Sequence, residues 1–304
     1  MRCVVFSVFW LLVLFCDKTK GSDFLELPRE SEQTPTVKTE EVVLGGQKRY
    51  RILTEHYDIT ASRREDGTLA GEQLEHLFCV WKLLSADFIE EPENKSARPR
   101  HRVILYRDKQ EYTDNLWRLE PSIARTNGYY STPRKTAYFF SPETKVMLHE
   151  GTHQIFVERF FREKPPAFRN NFWVVEGVAL FMETLKVEDK NYKVGDIRAN
   201  RLYAARKYHV EQNYNLPIRK LTAMSATEIQ AKPSAEINKV YSQSATLVHW
   251  LMFAEEGRYR KSLFELLRQT YLDSAKPETL SELTGLSYDE LDSHYMEFLK
   301  TIPK

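Results

Sequence analysis

The sequence predicts an α+β protein: a small mixed β-sheet lobe packed on a polar helix and on a mainly helical C-terminal lobe. Three observations predict it. Segments with period-two alternation and β-branched or aromatic residues are confined to positions before about 140. A single long apolar pattern of helical period lies among them, and after about 141 nearly every periodic segment is helical. The 304 residues are 42% hydrophobic, enough for a substantial core, and hold no internal repeat or low-complexity tract.

The elements follow in order. Arg2 precedes an apolar run from Cys3 to Phe15, then polar Asp17 to Lys20 and the small pair Gly21 and Ser22. A positive start, an apolar run too short to span a bilayer and a small-residue exit describe a secretory signal peptide over 1–22, with a periplasmic or extracellular destination. Membrane contact is expected only through that segment, if it stays uncleaved. Residues 23–45, rich in Glu, Thr, Pro and Lys, read as a linker ahead of a domain over 46–304. Its sheet-bearing lobe spans 46–140 and its helical lobe 141–304.

Tyr50 to Thr60 alternates as a strand. Leu74, Leu77, Phe78, Trp81, Leu84 and Phe88 form the stripe of a helix over about 69–89. Residues 102–106 read as a strand, followed by a short helix through Tyr112 and Trp117, and strands at 128–130 and 136–140. Ser141, Pro142 and Glu143 suit a helix start: a cap, a first-turn proline whose missing N–H costs nothing, and an acid at the positive helix end. That helix should run to about Phe161, and a second should span about 173–185. Residues 186–196 read as a hairpin or loop, 198–208 as a helix, and 236–255, 260–271, 278–284 and 287–300 as further helices.

Charge and cysteines narrow the class. Lys and Arg number 44 against 43 Asp and Glu, and no stretch has the basic density of a nucleic-acid surface. Signal cleavage would remove Cys3 and Cys16 and leave Cys79 alone, so no internal disulfide supports the fold. Cys79 lies in an apolar helical stretch and reads as a small buried hydrophobe.

The chemistry gathers at the junction of the halves. His149-Glu150-Gly151-Thr152-His153 places two imidazoles one turn apart on a single helix face, where both can ligate one Zn²⁺. Glu150, rotated by about 100°, is suited to act as general base on metal-held water and to hand the proton on. The motif's apolar neighbours, Val146 to Leu148 and Ile155 to Val157, imply burial, and buried polar side chains need partners. A third ligand is expected in Trp173 to Glu183, where Glu176 sits on a second apolar helix that would isolate a carboxylate without a cation. Glu183, two turns on, is either an orienting partner for a His ligand or a surface residue near the helix end.

His149-Glu-x-x-His153 followed by Trp173-x-x-Glu176-Gly177-x-Ala179-x-x-x-Glu183 resembles the gluzincin, or peptidase-MA-like, zinc metallopeptidases, which include thermolysin-like and aminopeptidase-N-like families. The wording His149 to Ile155 with Trp173 to Gly177 is nearer still to exported bacterial proteins of unassigned substrate, well known from planctomycetes. The resemblance implies His149, His153 and Glu176 as zinc ligands, Glu150 as general base and acid, and a peptide or protein substrate. It also implies an oxyanion donor on a later helix, for which Tyr241 is the leading candidate and His249 the lesser one. Residues 136–140 are placed like the sheet-edge strand along which such enzymes lay a peptide, or are an ordinary buried strand. Two departures stand out: no Gly-Ala-Met-Glu-Asn-like run for a free N-terminus, and Val175 where close relatives carry Asn. The reading is therefore an endopeptidase-like zinc hydrolase, with a non-catalytic zinc-bearing peptide or cell-wall binding domain as the alternative.

Overall fold

The computed structural model describes residues 23–29, 37–44, 46–86, 88, 99–160, 165–214 and 216–304. The segment expected to be a signal peptide lies outside them. The fold is α+β: an N-terminal mixed six-stranded sheet and a helical C-terminal part.

The sheet holds β2 (Lys38–Leu44), β3 (Gln47–Leu53), β4 (Tyr57–Ala61), β5 (His101–Leu105), β6 (Gly128–Ser131) and β7 (Thr136–Phe139), in the order β2-β3-β4-β5-β7-β6. The β4–β5 and β5–β7 pairs are parallel and the others antiparallel. A second, three-stranded sheet places β9 (Asn191–Val194) between β1 (Leu25–Pro28) and β8 (Lys186–Val187).

Several expectations are corrected. Residues 23–45 are not only a linker, because β1 pairs with β9 and β2 with β3. β2 is an edge strand whose side chains are largely solvated, so its composition resembles that of a linker. The strand expected over 50–60 is two strands joined by a tight turn. Thr54 N–H donates to Tyr57 O at 3.0 Å, and Tyr57 N–H donates to Thr54 Oγ1 at 3.0 Å. The turn is secured from a distance: buried Glu75 bonds both the backbone N–H and the ring Nδ1 of His56, each at 2.7 Å. The strand at 136–139 is interior and wholly buried between β5 and β6, so it is not the sheet edge; β6 is.

Helix α1 (Arg64–Ser85) lies against β3, β4 and α3 (Thr144–Phe160), and α2 (Lys109–Leu116) closes a smaller aromatic cluster around Tyr112 and Tyr138. α3 begins three residues after Ser141, with Met147 N–H closing the first turn onto Glu143 O at 2.9 Å. α4 (Phe172–Met182) is buried along its whole length, which is why its sequence is apolar on every face. α5 (Asn200–Arg206) ends in a wide turn over Lys207–Glu211. The short helices α6 (Ile218–Ala223) and α7 (Ala226–Gln230) precede α8 (Ser234–Phe253), α9 (Arg260–Tyr271), α10 (Thr279–Thr284) and α11 (Tyr288–Thr301). A single apolar cluster runs from the six-stranded sheet through α1, α3 and α4 to α11. Cys79 is half-buried on α1 and unpaired. Among the described residues no helix is long and apolar enough to cross a membrane.

Candidate metal centre

α3 is locked to the sheet on one side and to α1 on another. Gln154, fully buried, donates from Nε2 to Arg102 O on β5 at 3.0 Å and to Glu158 Oε1 at 2.9 Å. Glu158 also takes His101 Nδ1 at 2.8 Å and the Tyr130 hydroxyl at 3.4 Å, so β5, β6 and α3 share one carboxylate. Gly151 faces α1, where a Cβ would stand 2.7 Å from Leu77 Cδ2 and 2.8 Å from Leu74 Cδ2. The residue between Glu150 and Thr152 thus packs directly against two leucine side-chain ends of α1. These contacts turn His149 and His153 toward α4.

α4 is set by its own start. Asn171 takes the left-handed conformation, φ 53°, which Asn tolerates better than most residues. Its N–H donates to Thr222 O at 2.7 Å, its Nδ2 to Lys276 O at 2.8 Å, and its Oδ1 accepts the buried Trp173 indole N–H at 3.2 Å. One turn on, Glu176 points at the histidines. Gly177 then lets α8 approach closely, since a Cβ there would lie 2.7 Å from the Ser244 carbonyl oxygen. That approach brings Tyr241, one turn before Ala245 on α8, to Glu176.

His149, His153 and Glu176 form the one group of metal-ligating side chains found among the described residues. His149 Nε2 and His153 Nε2 are 3.1 Å apart. Glu176 Oε2 is 3.5 Å from His149 Nε2, and Oε1 is 3.6 Å from His153 Nε2. Tetrahedral zinc with ligand bonds of about 2.0–2.1 Å sets its ligand atoms about 3.3 Å apart, so the observed spacing suits such an ion. His149 Nδ1 bonds Glu183 Oε1 at 2.8 Å, which places a ring proton on Nδ1 and leaves Nε2 as the atom turned to Glu176. Glu183 caps the C-terminal end of α4, where the helix dipole disfavours a carboxylate. The contact with His149 offsets that cost. The donor set therefore fits a metal: two imidazoles and a buried carboxylate with an orienting carboxylate behind one ring.

Electrostatics agree. Burial pushes the Glu176 carboxyl up, but the His149 contact, the charges of both rings and the Tyr241 hydroxyl outweigh it and hold the group below the usual range. Burial lowers His149, yet its bonds to Glu176 and Glu183 prevail and raise it well above the ordinary imidazole value. Burial pushes His153 down to about 4, so its ring is neutral at pH 7 with a lone pair to offer. Three carboxylates converge on two imidazoles, and such a site calls for a cation. His149, His153 and Glu176 can hold one.

Glu150 does not join the ligand group. Its Oε2 accepts the backbone N–H of Tyr130, on edge strand β6, at 3.0 Å. Burial raises its carboxyl above the usual range, with help from the Glu176 and Glu183 charges and against the pull of His149 and the Tyr130 N–H. A carboxyl so tuned exchanges protons nearer neutrality than an exposed one. Burial, then the Glu176 charge, pushes the Tyr241 phenol far up, so it is a proton donor throughout the working range. His249, the lesser donor candidate, is stacked on Phe253 and Phe298 at centroid distances of 4.3 and 5.5 Å and lines a neighbouring cavity. The Tyr130 N–H, the Glu158 hub and Asn171 were not found by reading the sequence. Backbone donors leave no residue-type signal, and the other two look like ordinary polar residues until the chain is folded.

A protein-family model described as "Protein of unknown function (DUF1570)" matches residues 144–274, less than half of the chain. The match opens at the first residue of α3 and closes just beyond α9, so it contains His149, Glu150, His153, Glu176, Glu183 and Tyr241. No curated protein matches the sequence.

Proposed function

We propose that the chain is a zinc-dependent peptide hydrolase of endopeptidase type. The observation that carries this reading is the convergence of His149 Nε2, His153 Nε2 and Glu176, with the Glu150 carboxylate held beside them outside the ligand set. A purely structural metal site would have no use for a half-buried acid that no cationic side chain pairs and a backbone N–H holds at that position. The resemblance of the paired motif to gluzincin peptidases supports the same assignment.

Zinc, when bound, would polarise the scissile carbonyl and make water acidic enough to lose a proton near neutral pH. Glu150 takes that proton as the new carbon–oxygen bond forms. As the carbon–nitrogen bond breaks, Glu150 delivers the proton to the departing amine, so the acid is regenerated as carboxylate. Tyr241 offers its phenolic proton to the carbonyl oxygen as negative charge grows there. Glu183 keeps the His149 ring in one tautomer and one orientation. Among the described residues β6 pairs with β7 only, and its Tyr130 N–H already meets Glu150, so an extended peptide laid along this edge would pass the acid. The N-terminal apolar run supports an exported enzyme.

The test is metal analysis followed by cleavage of an unbiased peptide library. We expect about one zinc per chain, lost on His149→Ala or Glu176→Ala, and zinc-retaining but inactive Glu150→Gln protein. Protein that never takes up zinc would overturn the reading. Zinc-loaded wild type that cleaves nothing in the library would leave a binding domain in its place.

A further inference from the structure

A cavity of about 510 Å³ opens beside the metal centre, a volume in the range of small-ligand sites. It continues the site along the same three helices. Lys145 stands one turn before His149 on α3, Leu180 one turn after Glu176 on α4, and Ala245 one turn after Tyr241 on α8. Glu183, which holds His149, forms part of the shared wall. A group bound here would belong to a molecule whose neighbouring bond lies at the metal centre.

The charges around the cavity do not cancel. Four cations line it, Lys145, Lys186, Arg198 and Arg201, against two carboxylates, Glu183 and Asp196. Glu183 is committed to His149 at 2.8 Å, and Asp196 to Lys186 at 2.8 Å. Arg198 pairs with Asp23 at 2.9 Å. Lys145 and Arg201 pair with no carboxylate among the described residues; the Arg201 guanidinium donates only to the neutral Asn238 Oδ1 at 3.2 Å. Asn238 precedes Tyr241 by one turn of α8, and the Arg201 charge is felt at the Tyr241 phenol. Deeper in the wall lies His249, 3% exposed, whose ring nitrogens hydrogen-bond no described residue. Burial pushes that ring down to about 3, so it is a neutral N–H donor at pH 7. A buried donor facing a cavity rimmed by two free cations is matched by a carboxylate.

We propose that this cavity is a substrate subsite for a carboxylate, and that Lys145 and Arg201 select peptides presenting one next to the scissile bond. The proposal rests on the peptidase reading above. The carboxylate comes from an acidic side chain or from a C-terminus, and the same chemistry recognises both.

The experiment compares four peptides of one frame: internal Glu or Gln, each with an amidated or a free C-terminus. Cleavage is measured with zinc-loaded wild type, and binding by fluorescence anisotropy with zinc-loaded Glu150→Gln protein. The Glu peptide, or the free-carboxylate peptide, should be favoured over its neutral twin by about ten- to a hundredfold in both readouts, the worth of charge-assisted hydrogen bonds. The preference should collapse in Lys145→Met/Arg201→Met and survive in Arg201→Lys, which keeps the charge. Which twin is favoured identifies the source of the carboxylate. Cleavage with no acidic preference, or a preference that the double Met variant keeps, overturns the subsite and leaves the peptidase. Binding that follows the carboxylate without any cleavage supports the subsite and overturns the peptidase. Neither cleavage nor binding overturns both.

Discussion

Replacing Gly177 by Ala tests whether the contact between α4 and α8 builds the site. The new methyl would stand 2.7 Å from both the Ser244 carbonyl oxygen and Val248 Cγ2. Ordinary contact begins at 3.4 Å, so the helices must part by about 0.7 Å, and the obstacle is backbone that cannot rotate aside. Overpacking of this kind costs about 1–3 kcal/mol, and exchanging Gly for Ala inside a helix returns up to about 1 kcal/mol. A net loss of about 1–2 kcal/mol should lower the melting temperature by about 2–8 °C at this chain length. Gly151→Ala is the control, since its Cβ meets Leu74 and Leu77 at the ends of flexible side chains, which can turn away. Its melting temperature should stay within about 2 °C of wild type, the propensity gain offsetting the repacking. Thermal melts of the two zinc-free variants decide the matter. If Gly177→Ala is no less stable than Gly151→Ala, the close approach of α4 and α8 does not carry the strain argued here.

Other outcomes follow from the same geometry. Glu183→Ala should weaken zinc binding by about 10–100-fold in a chelator competition, because His149 loses its orienting carboxylate; unchanged affinity would make Glu183 a bystander. Tyr241→Phe should keep its zinc and lower kcat by about a hundredfold or more, and an unaltered kcat would remove the phenol from the oxyanion's surroundings. His209 is buried beside Tyr214 and Tyr295, its Nε2 has no partner among the described residues, and burial pushes its pKa down to about 4 from 6.5. The folded state then binds fewer protons than the unfolded chain between those values. Stability is intact above about pH 6.5 and drains as pH falls toward about 4, by at most about 3 kcal/mol from this group. Urea midpoints at pH 7.5 and 4.5 should differ less for His209→Phe than for wild type; an equal difference would place the acid sensitivity elsewhere.

The parts of the fold that the sequence revealed are those whose signal is local and long. The stripe from Leu74 to Trp81, the apolar helix around Glu176 and the helix running to Phe253 each repeat over several turns. The H-E-x-x-H spacing is likewise local, and it singled out the two histidines that the fold brings together with Glu176. What stayed hidden depends on partners far along the chain. The Thr54–His56 turn carries no Gly, Pro or Asn-Gly signal and is held by Glu75 from α1, so Tyr50 to Thr60 read as one strand. β1 becomes a strand only against β9, more than 160 residues away. α6 and α7, at six and five residues, complete too few turns for periodicity to show. In the site, Glu176 was recognisable by the cost of its burial, whereas the Tyr130 N–H beside Glu150 was silent because every residue but proline has one.

The hydrogen bond from that peptide group has a chemical corollary. With Oε2 held by the rim of the sheet, Oε1 is the oxygen left for proton traffic. In the proposed reaction the hydrogen removed from water and the hydrogen given to nitrogen are therefore the same one, lodged briefly on a single atom. Attacking and departing groups must then both come within reach of that one oxygen.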